Sequence, residues 1–302
     1  MLAARRTIHF VWLALGCLGP AAAGAACPPA GHDRAELIAL ARSSFELPAD
    51  EARTKLALGL LDCLAEPDPV LRDEVAFEAW SSWLRAGKLD APTRRTALDA
   101  LLPRLTAKDA QGFSAPFAAL ALSEVARTDR IAPWLEDAER ARLVDAAATF
   151  LAGVRDYRGF DEKAGWRHGV AHGADFALQL ALNPALDRAA LDRLLAAVAS
   201  QVAPPAHFYV YGEPERLAAP VLYIGKRAMH TPDEWRAWFA KLADPAPLAS
   251  WRDAFKSQAG LARRHDTQAF LLVLYANLRE GKDDAVAERM LPGVVEALKA
   301  IP

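Results

Sequence analysis

Apolar residues recur along this chain at steps of three and four, which is the period of an amphipathic α-helix. Between positions 70 and 84, one such stripe consists of Val75, Phe77, Ala79, Trp80, Trp83 and Leu84. The same period predicts helices over residues 35–45, 49–64, 69–85, 92–105, 114–127, 137–154, 165–182, 187–202, 213–227, 232–242, 248–278 (broken near Gly260) and 284–300. Strand signals are nearly absent, and the best candidate is the short aromatic stretch 207–211.

Short connections join the predicted helices, so neighbouring helices are expected to pack antiparallel. A weak internal repeat aligns Leu-Arg-Asp-Glu-Val-Ala at 71–76 with Trp-Arg-His-Gly-Val-Ala at 166–171. Helix pairs that start roughly 40 to 50 residues apart are typical of HEAT-like repeats. The sequence therefore predicts an all-α fold, a HEAT-like helical-repeat array (an α-solenoid) of antiparallel helix pairs. The alternative is an irregular helical bundle or an α/α toroid.

The N-terminus has the pattern of a secretory signal peptide. Arg5 and Arg6 precede the apolar run 11–18, and a tract of Ala and Gly follows at 21–26. A positive region, a short apolar region and small residues before a cleavage site are the three parts of such a signal. The sequence thus predicts a signal peptide over residues 1–26, a single all-helical domain over 27–302, and a periplasmic or secreted protein.

The cysteines bear on both anchoring and stability. Cys17 would leave with the signal peptide, and the remaining pair, Cys27 and Cys63, is predicted to form a disulfide in an oxidising compartment, although two free thiols remain possible. A lipid anchor on Cys27 is the alternative to soluble export. Gly24 occupies the position, three before the cysteine, where a lipoprotein signal usually carries a Leu-like residue, so soluble export is favoured.

Charge and hydropathy limit the partners. The 302-residue chain carries a formal net charge of −2, so it has no basic excess with which to neutralise nucleic-acid phosphates. In the mature chain no segment approaches the length of a transmembrane helix, and the apolar stretch 270–275 is soon followed by Arg279 and Glu280. A protein or a peptide remains the expected kind of partner.

The segment from Gly165 to Asp175 is the best candidate for a site. On a helix, His168, His172 and Asp175 would lie within roughly 60° of one another, and Gln179 would extend the same ridge. Two imidazoles and a carboxylate at this spacing can bind a divalent metal, but they can equally form a structural hydrogen-bond network. Without the glutamate of a full metalloprotease motif, the pattern is far less specific than that motif.

Further candidate binding residues lie near this ridge or at other helix starts. They are Trp166, beside the first histidine, Asp73, in an acidic helix start, and Glu213 and Arg216, at a loop–helix junction. An acid from another helix beside His168, such as Asp73 or Glu213, would favour an enzyme.

Several segments together resemble an uncharacterised bacterial family, the one named domain of unknown function 2785. They are LRDEVAF (71–77), FSAPFAALALSEVARTDR (113–130), DYRGF (156–160), GWRHGVAHGAD (165–175) and YGEPERLA (211–218), within a span of roughly 49–242. The resemblance implies an all-helical, repeat-like fold and supplies no activity or catalytic residue.

Two functions follow as hypotheses. The first is a non-enzymatic binding or interaction scaffold that takes a protein or peptide along a groove. The second is a metal-assisted hydrolase that uses His168, His172 and Asp175. The scaffold ranks first, because no other chemically reactive residues converge on these three in the sequence.

Overall fold

A computed structural model describes residues 27–302, and this part of the chain is mostly helical. The predicted signal peptide lies outside the described residues. The α-helices are α1 (Arg34–Arg42), α2 (Asp50–Leu60), α3 (Glu78–Arg85), α4 (Ala91–Leu101), α5 (Ser114–Ile131), α6 (Asp137–Gly153), α7 (Gly169–Ala181), α8 (Arg188–Gln201), α9 (Glu213–Lys226), α10 (Pro232–Leu242), α11 (Gln258–Glu280) and α12 (Asp284–Ala300). Shorter elements are the 3₁₀-helices Asp62–Ala65, Leu102–Thr106 and Trp251–Lys256, the π-helix Val70–Phe77, and the strands β1 (Phe160–Asp161) and β2 (Gly165–Trp166).

Helix starts follow local capping rules. The Asp33 carboxylate accepts from the Glu36 N–H, and the Glu36 side chain accepts from the Asp33 N–H, which makes a capping box at α1. Thr231 and Glu234 form the same arrangement at α10, where a proline occupies the first helical position. These start signals are visible in the sequence, and the predicted helices 232–242 and 284–300 have the observed bounds.

The helices pack in two series. Helix α3 contacts α5, α5 contacts α7, α7 contacts α9, and α9 contacts α11, while α6 contacts α8 and α10 contacts α12. One cluster of buried apolar residues extends from Leu37 to Ile301. Trp80 and Trp83 lie inside it, and their indole N–H groups donate to the carbonyls of Ala57 and Phe45. The tryptophans are therefore core residues with satisfied polar atoms.

Three predicted elements differ in the structure. The predicted helix 165–182 begins only at Gly169, because residues 160–166 turn back as the antiparallel pair of β1 and β2. The stretch 207–211 is irregular rather than a strand. The aligned segments 71–76 and 166–171 adopt different structures, since the first lies in the π-helix and the second crosses from β2 into α7.

A disulfide joins Cys27 to Cys63, which ties the start of the described chain to the 3₁₀-helix after α2. The two residues are 36 positions apart, and a loop of that size corresponds to a stabilisation of roughly 3–4 kcal/mol in the chain-entropy account. None of the helices in residues 27–302 is both long and apolar enough to cross a membrane.

Candidate functional site

The hairpin of β1 and β2 presents the first candidate residues. The Asp161 carboxylate accepts from the backbone N–H groups of Lys163 (2.9 Å) and Ala164 (2.7 Å), which closes the turn. Gly165 follows with a φ of +70°, and a Cβ there would come within 2.9 Å of Pro69 and of the Arg72 guanidinium. A glycine is therefore required for the hairpin to lie against the π-helix.

A buried arginine connects the hairpin to the π-helix. The Arg72 guanidinium is fully buried, donates to the Ala164 carbonyl (2.7 Å) and to the Asp73 carboxylate (2.7 Å), and lies 4.0 Å from the centre of the Phe113 ring. Burial raises the pKa of Asp73, although the Arg72 charge opposes this. Asp73 is thus a partner of Arg72 and forms no ion pair with His168.

His168 lies between the hairpin and α7 instead of inside a helix. Its φ of 53° is in the left-handed region, and its ring stacks on Trp166 with centres 4.7 Å apart. The His168 Nε2 atom is buried, has no hydrogen-bond partner, and lies 3.7 Å from a carboxylate oxygen of Glu213. Burial, aided by the positive charge of Arg216, lowers the pKa of His168 to about 4, so the ring is neutral at pH 7.

Two buried carboxylates hold the loop before α9. Glu213 accepts from the Tyr211 N–H (2.9 Å), and Asp266 on α11 accepts from the Tyr209 N–H (3.0 Å). Both acids are almost completely buried. Burial raises the pKa of Asp266 to about 7, and its second oxygen has no partner. The position of this loop, and with it that of Tyr211, depends on two acids from different helices.

His172 is held in the interior of the same region. Its Nδ1 atom lies 3.2 Å from the Pro116 carbonyl, its ring meets Phe117 edge-on, and its centre is 6.0 Å from that of His168. Burial lowers the pKa of His172 to about 3, with the neighbouring His168 as a smaller cause. A neutral His172 therefore donates its Nδ1 proton to the carbonyl.

The rest of the ridge makes different contacts. Asp175 on α7 receives a bidentate pair of hydrogen bonds from Arg216 on α9, with Nε 2.7 Å from Oδ1. Burial nevertheless raises the pKa of Asp175, because it outweighs this ion pair. The Gln179 Oε1 atom is buried without a partner.

The structure does not assemble the predicted metal ligands. His168 precedes α7, so it does not lie on the helical face of His172, and the Asp175 carboxylate is bound by Arg216. Within residues 27–302 no three His, Cys, Asp or Glu side chains are grouped so that they could hold a metal ion. The helical spacing that suggested a ligand set is lost at the left-handed residue.

An aromatic surface covers the outside of this region. We name it the aromatic rim, and it consists of Phe160, Trp166 and Tyr211. Their exposed fractions are 47%, 37% and 38%, and Trp166 contacts the other two rings. Beside the rim is a cavity of about 520 Å³. Exposed aromatic side chains next to a cavity of this size are typical of binding sites.

Two arginines line this cavity and differ in their pairing. Arg158 is bound to the Asp156 carboxylate through Nε at 2.8 Å. Arg167 donates to the Gln111 carbonyl (2.7 Å) and lies 4.3 Å from the centre of the Phe113 ring. In residues 27–302 no carboxylate forms an ion pair with Arg167. The cavity lining therefore contains one ion-paired arginine, one arginine without an ion pair in the described chain, and the Asp161 carboxylate, which is bound by the N–H groups of its own turn.

One protein family matches this chain. Its model, described as a protein of unknown function (DUF2785), covers residues 101–276. The chain belongs to the DUF2785 family. The matched range contains the hairpin, α7 and the loop before α9, whereas the LRDEVAF segment at 71–77 lies outside it. No curated protein and no solved structure matches the chain. Membership in DUF2785 brings no activity, so the function has to be argued from the contacts.

Sequence reasoning missed Arg72, Arg167 and Asp266 as members of this region. Arg72 stands three residues before Val75 on the apolar side of the predicted helix, so a charge in a buried stripe was a usable signal. Arg167 and Asp266 gave no such signal, because their neighbours come from distant parts of the chain.

Proposed function

We propose that this protein is an exported, non-enzymatic binding protein whose aromatic rim receives a short acidic peptide segment. The observation that carries the proposal is the free guanidinium of Arg167 beside exposed aromatic rings. A carboxylate is the partner that a guanidinium binds best, and an apolar side chain is what the aromatic rings can cover.

The pairing of the cavity charges supports an acidic occupant. Asp156 pairs with Arg158, and the Asp161 carboxylate, which also lines the cavity, accepts from two N–H groups of its own turn. Among the described residues, Arg167 is therefore the arginine of the cavity without an ion-pair partner. An Asp or Glu side chain of a peptide would pair with Arg167 while the next apolar side chain packs on Phe160 and Tyr211, which line the same cavity. A basic peptide would meet an unpaired cation and bind more weakly.

The packing of the helices supports a scaffold of this kind. Helices α3, α5, α7, α9 and α11 contact each other in series, as the inner row of a HEAT-like array would, and α6 with α8 and α10 with α12 supply parts of an outer row. In such an array the loops at one end form a continuous surface. The aromatic rim lies at this end, where α7 and α9 begin. Export of the chain as a soluble protein, after cleavage near residue 26, completes the proposal.

Fluorescence anisotropy with a labelled peptide of about ten residues tests the binding. The probe alternates Asp and Phe, and two matched probes replace every Asp with Lys or every Phe with Ala. We expect an affinity on the order of 10 µM for the first probe, and binding at least tenfold weaker for both others. Equal binding of all three would contradict the proposal.

Variants of the two arginines give an internal control. Arg167→Gln should weaken binding about tenfold, because a charge-assisted hydrogen bond contributes roughly 1.5–3 kcal/mol. Arg158 lines the same cavity, but Asp156 already neutralises its charge. Arg158→Gln should therefore change the affinity for the peptide less than threefold. Trp166→Ala should also weaken binding. A larger effect at Arg158 than at Arg167 would refute the assignment.

A second candidate function is general acid–base catalysis by His168 and Glu213. It rests on one contact, the 3.7 Å separation of His168 Nε2 from Glu213 Oε1. The low pKa of His168 makes it a poor base at neutral pH, which favours binding. Mass spectrometry of the acidic probe after long incubation tests this candidate. Cleavage that Glu213→Gln abolishes would replace the binding proposal with this one.

A further inference from the structure

A groove separates α8 from α10, and none of its lining residues lines the cavity beside the aromatic rim. Helix α8 packs on α6, α7 and α9, whereas α10 packs on α12, and a cavity of about 650 Å³ lies between them. Arg188 at the start of α8 forms an ion pair with Glu234 in the first turn of α10, across one end of the groove. The groove has the volume of a typical small-molecule site.

An unsatisfied histidine atom lies in the wall of the groove. His230 is only 7% exposed, and its Nε2 atom lies 2.6 Å from the Asp192 carboxylate. In the tautomer that donates its Nε2 proton to this carboxylate, Nδ1 is an acceptor. That Nδ1 atom is buried and has no hydrogen-bond partner. The side chains around this atom cover it, so a ligand hydroxyl reaches it only when the wall of the groove shifts.

The charges of the groove are unequally paired. Both acids are engaged, Asp192 with Arg188 and His230, and Glu234 with Arg188. Arg263 on α11 and Lys241 at the end of α10 also line the groove, and neither has an ion-pair partner in the described part of the chain. The buried Nε atom of Arg263 has no hydrogen-bond partner at all. The free charge in the groove is therefore positive.

An aromatic wall completes the groove. Trp238 is half-buried and lines the cavity, with Trp235 and Phe239 packed against it edge-on. These contacts fix the orientation of the Trp238 ring. A rigid indole beside hydrogen-bonding groups is suited to the apolar face of a sugar ring.

We propose that the groove between α8 and α10 binds an acidic sugar, a sugar ring that bears a carboxylate. The ring packs on Trp238, a hydroxyl donates to His230 Nδ1, and the carboxylate pairs with Arg263 and Lys241. A neutral sugar would leave both cations unpaired, and a simple carboxylate would leave the indole and the histidine unused. The proposal does not depend on the peptide site at the aromatic rim.

Isothermal titration with oligomers of galacturonate, glucuronate and mannuronate tests the inference on the full mature chain. We expect binding of at least one of the three, binding at least tenfold weaker for its methyl-esterified form, and none for acetate alone. Arg263→Gln and Lys241→Gln should each weaken binding of the acidic sugar by about tenfold or less, and the double variant should weaken it by more. Lys241 is exposed and in no ion pair, so its variant is expected to fold.

The controls separate this groove from the rim. Arg236 lies on α10 as well, but it pairs with Asp233 and Glu296 outside the groove. Arg236→Gln should therefore leave sugar binding unchanged. Trp166→Ala should also leave it unchanged, whereas Trp238→Ala should abolish it. Failure of all three acidic sugars to bind at millimolar concentration would overturn the inference, as would equal binding of the esters. Neither result would affect the acidic-peptide proposal.

Discussion

The two ends of α7 differ in how their buried polar side chains are hydrogen-bonded. At its C-terminal end, Arg227 donates to the carbonyls of Ala181, Asn183 and Leu186, and Asp129 receives the Asn183 side chain. The Ala181 carbonyl is one of those that every helix leaves unpaired at its end, and the other two carbonyls lie in the connection to α8. The side chains of Asp129 and Asn183 are buried and hydrogen-bonded, which is the arrangement expected of structural residues.

The N-terminal end of α7 is different. His168 precedes the helix in a left-handed conformation, and its Nε2 atom is buried without a partner. Glu213 and Asp266, which flank this end, carry buried oxygens in a region where the exposed rings of the aromatic rim meet solvent. The comparison indicates that the C-terminal end of α7 stabilises the fold. Unpaired buried atoms at the N-terminal end lower the stability, and such positions are where function is expected.

The largest expected effect is at the C-terminal end. Asp129 is 1% exposed and accepts from Arg140 (2.7 Å), Trp134 N–H (2.9 Å), Leu135 N–H (2.8 Å) and Asn183 (2.8 Å). Burial alone would raise its pKa, but these donors together hold the pKa below its usual value. Asp129→Ala should lower the free energy of unfolding by about 3–5 kcal/mol, because it leaves Arg140 without its buried partner.

Urea unfolding of the two proteins measures this loss. Asp99→Ala is the matched control, since Asp99 pairs with Arg142 at an exposed position and should contribute less than about 1 kcal/mol. A loss at Asp129 no larger than that at Asp99 would show that the C-terminal end of α7 is not a structural anchor.

Local sequence rules predicted most helices and failed at the N-terminal end of α7. Helix periodicity and capping residues are properties of neighbouring positions, so α10 and α12 were predicted with their observed bounds. The hairpin was missed, although Asp161 followed by Gly165 is a turn signal. The left-handed φ of His168 and its approach to Glu213 depend on contacts between residues about 45 positions apart. No pattern within a single segment contains that information.

Acid should lower the free energy of unfolding, because two buried histidines lie at the N-terminal end of α7. The pKa values of His168 and His172 are about 4 and about 3 in the folded chain, against an ordinary 6.5. Below pH 6.5 the unfolded chain therefore binds protons that the folded chain does not, so stability falls as the pH drops towards 4. Each histidine should lower the free energy of unfolding by about 2 kcal/mol between pH 6.5 and pH 5, since one pH unit corresponds to about 1.36 kcal/mol.

Thermal melts of wild type, His168→Gln and His172→Gln across this pH range measure the effect. Each variant should lose less stability than wild type between pH 7 and 5, whatever its stability at pH 7. Parallel curves for all three proteins would show that the two histidines are not held neutral by burial.

Asp266 should make the protein less stable as the pH rises, which is opposite to the two histidines, and its effect on the free energy of unfolding should be smaller. Its pKa of about 7 lies above the ordinary 3.8, so between these values the folded chain keeps a proton that the unfolded chain has released. The contribution of Asp266 to stability is therefore lost as the pH rises towards 7. Asp266→Asn keeps the acceptor for Tyr209 N–H and removes the charge. At pH 8 it should stabilise the protein by roughly 1–2 kcal/mol, after a deduction for the unpaired amide.

Urea unfolding at pH 5 and pH 8 measures this gain. At pH 5 the carboxyl of Asp266 is mostly protonated in the folded chain, so the gain should be smaller there than at pH 8. An equal effect at both values would mean that the Asp266 charge does not titrate in this range.

The smallest expected change concerns a residue in the last turn of α7. The Gln179 Oε1 atom is buried and unpaired, whereas Asn183, one turn further along the chain, donates to Asp129 and accepts from the Ala185 N–H. Gln179→Met removes no hydrogen bond to Oε1 and should change the free energy of unfolding by less than about 0.5 kcal/mol. Asn183→Leu should cost about 1–3 kcal/mol, because it leaves buried partners unsatisfied. Similar losses for both variants in urea unfolding would show that Gln179 stabilises the C-terminal end of α7 as much as Asn183 does.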